Sequence, residues 1–159
     1  MTEGMRLAEQ LGLALEGGAW HGPSWREVLD GIGFEGAMHR PVPGAHSIAE
    51  IVLHATTWHD AARRRFEGEN PEVSDEQDWP RAAFGSESEW RAAVEQLFET
   101  GRALREAMAR FPDARLDEKR SADGGTWYLL LVGILQHDLY HAGQVGLLRK
   151  AAVAAAARR

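Results

Sequence analysis

The stretch ESEWRAAVEQLFETGRALREAMARF, residues 87–111, decides the fold. Trp90, Val94, Leu97, Gly101, Leu104, Met108 and Phe111 recur in it at alternating spacings of four and three, the period of one helix face. Ser86 and Glu89 form a capping-box pair at its start, in which each side chain satisfies the other residue's orphan N–H, and Pro112 stops it.

The same signals recur on both sides. A first helix is predicted over about residues 2 to 16, with Leu7, Leu11 and Ala14 on one face and Gly17 and Gly18 after its end. Ser24 with Glu27 opens a short helix to about Asp30. Ser47 with Glu50 opens the second long helix, which runs to about Glu67 and is stopped by Gly68, Asn70 and Pro71. The last long helix begins near Thr126, after Gly124 and Gly125, and continues into an Ala-rich tail, AAVAAAARR, that is expected to fray. No segment alternates like a strand and no unit repeats. The expectation is an all-α four-helix bundle in a single domain spanning residues 1–159, with one short extra helix. Linkers of roughly twenty to thirty residues after the first two long helices leave room for crossover connections as well as for simple up-and-down hairpins.

Composition removes several classes of function. With no Cys, the chain has neither disulfides nor a thiol nucleophile or ligand. A formal charge of -6, with acidic residues interleaved among Arg, offers no basic stripe for a phosphate backbone, so nucleic-acid binding is not expected. MTEGMRLAEQ does not read as a signal peptide and no apolar run reaches membrane-spanning length, so the expectation is a cytoplasmic protein without a membrane partner.

TWYLLLVGILQHDLYHAGQVGLLRK, residues 126–150, departs from a plain core helix. Its inward row, followed at spacings of four and three, reads Leu130, Ile134, His137, His141, Gln144, Leu148, so two histidines stand one turn apart where apolar residues belong. Uncoordinated, each must find a hydrogen-bond partner or cost about 1–3 kcal/mol. At i and i+4 they share one helix face and can share one metal ion. The second long helix reads Ser47, Ile51, His54, Trp58, Ala61 along its inward row, which makes His54 the natural third ligand. The remaining histidines are weaker candidates: His21 and His39 lie in linkers, His46 precedes a helix cap, and His59 points about 100° away from Trp58. No HExxH or ExxH motif is present, which sets aside zinc-protease and di-iron-bundle readings. Gln144, one turn beyond His141, can orient a ligand histidine or cap the polar end of the core, and Asp138 and Tyr140, which flank the histidines, either support the ligands or face outward. Gly101 either opens space beside the metal or permits close helix packing.

HDLYHAGQ at 137–144, with the lone His of IAEIVLHATTWHD at 48–60, resembles the DinB or YfiT-like family of metalloenzymes. WHGPSWREVL at 20–29 and PVPGAHSIAEIVLH at 41–54 resemble one subset of it, and the likeness covers nearly the whole chain. The resemblance implies a crossover four-helix bundle, a homodimer, and one divalent metal held by His54, His137 and His141.

Three neutral imidazoles leave a coordination position open, as in catalytic zinc sites. Such a site supports hydrolysis by an activated water or attack by an external thiol. Characterised relatives are similar to thiol S-transferases, which implies a low-molecular-weight thiol and a small electrophile as partners, in a detoxification or stress-response role. A metal-dependent hydrolase and a non-catalytic metal-binding stress or interaction protein are the alternatives. Zinc is expected, and nickel, iron or copper also suit three imidazoles. Arg63, Arg64 and Arg65 are candidates to hold a thiol's carboxylates, or else a solvated helix end that complements the dipole. Trp58 and Trp90 read as core, while Trp20, Trp25, Trp79 and Trp127 lie in or near linkers, where scaffold packing, a pocket wall or a dimer contact are all open.

Overall fold

A computed structural model describes residues 1–121 and 124–156, with side chains described to residue 152. The Ala-rich tail, expected to fray, is helical to Ala156, and its last three residues lie outside that description. Seven α-helices are present among the described residues: α1 (Glu3–Glu16), α2 (Trp25–Leu29), α3 (Phe34–Met38), α4 (Ile48–Phe66), α5 (Asp75–Asp78), α6 (Glu87–Arg110) and α7 (Trp127–Ala156). There is no strand among them, only an isolated bridge between Lys119 and Thr126 in the turn before α7. Among the described residues no helix is long and apolar enough to cross a membrane.

The starts of α2 and α4 carry the reciprocal capping boxes read from sequence, Ser24 with Glu27 and Ser47 with Glu50. At α6 only half the box forms. Ser86 accepts from the Glu89 N–H, but the Glu89 carboxylate accepts from the Gly85 N–H instead. A further box, Ser74 with Gln77, starts α5, so the second linker is a built element. α1 ends at Gly17, whose φ of 133° lies in a region that favours glycine.

α1, α4, α6 and α7 form the bundle, and the chain visits its corners out of order. The close pairs are α4 with α6, α6 with α1, α1 with α7 and α7 with α4. α1 and α4, consecutive long helices, therefore stand on a diagonal, as do α6 and α7. Crossover thus occurs in the first and third connections, whereas the linker after α4 joins neighbours. The first carries α2, packed on α1 and α7, and α3, packed on α4 and α6. The consequence for function is that α4 and α7, the two histidine-bearing helices, lie side by side.

The α6 row packs as its spacing predicts: Trp90, Leu97, Leu104, Met108 and Phe111 are buried and Val94 is half-buried. Each fully buried side chain of this size is worth about 1.5–3 kcal/mol relative to exposure. Gly101 resolves to close packing. A Cβ there would lie 2.7 Å from Leu15 Cδ1 and 3.5 Å from His59 Cε1, so α1 and α4 both press against it.

On α4 and α7 the buried face is rotated from the expected row. Its centre on α4 runs Val52, Ala55, His59, Ala62, each 0% exposed. On α7 it runs Leu131, Ile134, Asp138, Ala142, Val145 and Leu148. His54, Trp58 and His137 thus border the core, and its central polar residues are His59 and Asp138.

Candidate metal centre

His54 from α4 and His137 and His141 from α7 converge. One nitrogen of each lies within 4.8 Å of the other two, and ring centroids are 4.4–4.9 Å apart. Ligand nitrogens around a tetrahedral zinc, at 2.0–2.1 Å from the ion, stand about 3.3 Å apart, so the cluster has the dimensions of a metal site.

Neighbours set which nitrogens are available. The His54 Nδ1–H donates to the Asp78 carbonyl at 2.6 Å, which leaves the lone pair on Nε2. The His141 Nδ1–H donates to Gln144 Oε1 at 2.7 Å, with the same effect. His54 Nε2 faces His137 Nε2 at 2.8 Å. A proton on His137 Nε2 satisfies that one pair and leaves His141 Nε2 outside it. A cation uses all three lone pairs, and by this test the residues present fit a divalent metal.

Burial keeps the imidazoles neutral, as ligation requires. It pushes His137 down to about 4, with the neighbouring His141 as the next cause. It also lowers His54, against the opposing pull of its bond to Asp78, and lowers His141, against that of Gln144.

The linker after α4 builds one wall. Asp78 receives His54 on its carbonyl and the Trp58 indole N–H on its carboxylate at 2.6 Å. Trp79 then lies parallel to His54, 3.9 Å between centroids, with His46 stacked on its other side at 3.6 Å. A half-buried indole thus fixes the plane of a ligand ring. A cavity of about 210 Å³, lined mainly by Val42, Ile51, Leu147 and Leu148, opens beside His46 and Gln144.

Of the other histidines, His21 and His39 are exposed. His59, read from sequence as pointing away from the site, is fully buried. Its Nε2 lies 2.8 Å from Asp138 Oδ1, also fully buried, and Thr100 Oγ1 of α6 is 3.4 Å from its Nδ1. Asp138 Oδ2 and His137 Nδ1 have no hydrogen-bond partner among the described residues. The arginine run divides: Arg63 pairs with Asp60 and Glu67, and Arg64 with Glu69, as a helix end does, while Arg65 reaches the Pro71 carbonyl and lies over Trp58.

Sequence reasoning set His59 aside, left Asp138 and Trp79 without a fixed role, and missed Asp78. The first two had a readable signal, since Val52, Ala55, His59, Ala62 and Leu131, Ile134, Asp138, Val145 keep helical spacing as well as the rows chosen. The SDEQ capping pattern before Trp79 marked the linker as structured but not where it packs.

No curated protein and no solved structure gives a significant match to this chain. The model of the DinB superfamily matches residues 20–145, a span that holds α2 to α6, the three converging histidines and Gln144, and the chain therefore belongs to the DinB superfamily.

Proposed function

We propose that this chain, acting as one domain, is a divalent-metal-dependent enzyme of thiol S-transferase type, with His54, His137 and His141 as ligands and zinc as the cellular metal. The observation that carries the metal reading is the convergence of three imidazoles, two with Nδ1 held as a donor so that Nε2 presents a lone pair. A divalent cation held by three neutral imidazoles keeps a position open and lowers the pKa of a coordinated thiol or water. The chain's own residues orient and shield. Gln144 and the Asp78 carbonyl hold two ligand rings, and Trp79 covers the face of His54. With no Cys in the chain, a transferred thiol comes from outside it, which permits a low-molecular-weight cosubstrate. Family membership supports the transferase reading over the hydrolase by the likeness to thiol transferases given above. A homodimer belongs to the same proposal: α7 turns Leu129, Tyr140 and Leu147 to solvent, an apolar face for a second copy to cover.

The test is elemental mass spectrometry of untagged protein never exposed to nickel resin, followed by turnover of a bacterial low-molecular-weight thiol with a model electrophile. Near one metal per chain and a thiol-dependent rate above the metal-free control are expected. Thiol-independent turnover of an ester or amide panel would replace the transferase with a hydrolase. Bound metal with no turnover of either kind would make the metal structural.

A further inference from the structure

The core of the bundle holds one polar pair that the proposed chemistry does not use. His59 and Asp138 are both fully buried and bonded at 2.8 Å across the α4–α7 contact. Buried charged pairs are poor stabilisers, since apolar groups of similar volume do as well or better. This one also leaves Asp138 Oδ2 without a partner among the described residues. Stability alone does not account for its place.

Its position relative to the histidine cluster does. His59 stands five residues after His54 on α4, and Asp138 follows His137 and precedes His141 by three on α7. The helices that bring the three imidazoles together are thus tied by one directional bond beside the cluster. Apolar packing in the core that holds Val52, Ala55 and Val145 tolerates small slides along the helix axes, because dispersion has no preferred direction. A hydrogen bond does not. On the far side, Thr100 approaches His59 Nδ1, and Gly101 of α6 leaves room for the ring, so its orientation is held from a third helix. The carboxylate also favours positive charge at both His137 and His141, and a field of that sign favours a cation between them.

We infer that His59 and Asp138 are positioning residues of the three-histidine site, setting the register of α4 against α7 and supplying the negative charge behind the α7 ligands. This rests on the metal reading of His54, His137 and His141. It concerns binding of the ion itself, so its test needs no substrate.

The experiment is titration of metal-free protein with Co2+, read by visible absorption, which reports coordination geometry, and fitted for affinity. Asp138→Asn keeps the volume and removes the charge. The double variant His59→Leu with Asp138→Leu replaces the pair by apolar groups and is expected to fold at least as stably as wild type by urea denaturation. His59→Gln retains an N–H donor for Asp138. Both Asp138→Asn and the double variant are expected to bind Co2+ about 10- to 100-fold more weakly, with an altered spectrum, and His59→Gln to recover most of the affinity. A folded double variant or Asp138→Asn with wild-type affinity and spectrum overturns the inference and reduces the pair to core filling. If the double variant does not fold, Asp138→Asn against His59→Gln decides alone. Failure of wild type to take up Co2+ sinks the metal reading itself, a result distinct from wild-type binding that the variants do not alter.

Discussion

Two histidine clusters lie on the same pair of helices and obey opposite rules. At the edge of the core, His54, His137 and His141 turn lone pairs toward one point, where one proton cannot satisfy them all. In the centre, His59 Nε2 meets Asp138 Oδ1 as donor to acceptor, and only Asp138 Oδ2 is left over among the described residues. The first arrangement is open and asks for an ion; the second is closed and holds helices. A buried histidine is therefore not evidence for a metal. What its two nitrogens face is the evidence.

The largest effect expected from breaking this contrast is complete. His137→Ala or His141→Ala removes a ligand from a three-ligand site, and bound metal should fall from near one per chain to background by elemental mass spectrometry. Retained metal in both variants would mean that the ion sits elsewhere. The matching cut in the closed cluster acts on folding. His59→Ala strips the buried Asp138 of the one partner it has among the described residues, and metal-free protein should lose about 3–5 kcal/mol in urea denaturation. A loss below about 1 kcal/mol would show that the pair is not a closed unit.

Acid should strike the open cluster, with a definite sign. His137 is pushed down to about 4 from the usual 6.5, and His54 and His141 are lowered as well, all by burial. Between about pH 6.5 and 4 the unfolded chain therefore binds more protons than the folded one. Metal-free stability should be full above about pH 6.5, fall as pH drops below it, and level off below about 4. The loss from His137 alone is about 3 kcal/mol. Denaturation midpoints with a chelator across that range test this, and bound metal should delay the loss because protons and ion compete for the same lone pairs.

Smaller effects sharpen the boundary between the clusters. Trp79→Ala removes the ring stacked between His46 and His54, worth about 0.5–1.5 kcal/mol for each aromatic contact, and should loosen His54 in NMR spectra while leaving His59 in place. Gly101→Ala should be nearly neutral in thermal melts. A gain of about 1 kcal/mol in helix propensity opposes the 2.7 Å approach of the new Cβ to the movable end of Leu15.

Much of the fold was legible because its signals are local. Capping pairs, glycine and proline stops and a row at spacings of three and four depend only on residues within a turn or two, and they placed α1, α2, α4, α6 and α7 within about one or two residues. The three histidines of the open cluster were legible for the same reason. Phase was not. Apolar residues fill enough of α4 and of α7 that two adjacent rows keep helical spacing, and local pattern cannot say which faces the centre. α3 escaped because five residues show no period and its N-cap, Gly33, has no side chain to mark the start, whereas α5 went unread although Ser74 and Gln77 form a capping pair of the kind that marked α2.

The sequence by itself determined an all-α bundle, the limits of most of its long helices, and three histidines in rows of helical spacing on two of them, which it read as facing the core. Only the tertiary structure decided that α1 and α4 stand on a diagonal, that α4 lies beside α7, that Asp78 and Trp79 return to hold His54, and that His59 and Asp138 meet in the centre. The reason is physical: helix formation is governed by contacts a few residues apart, whereas the phase of a helix and the path of a linker are set by which distant surfaces bury together.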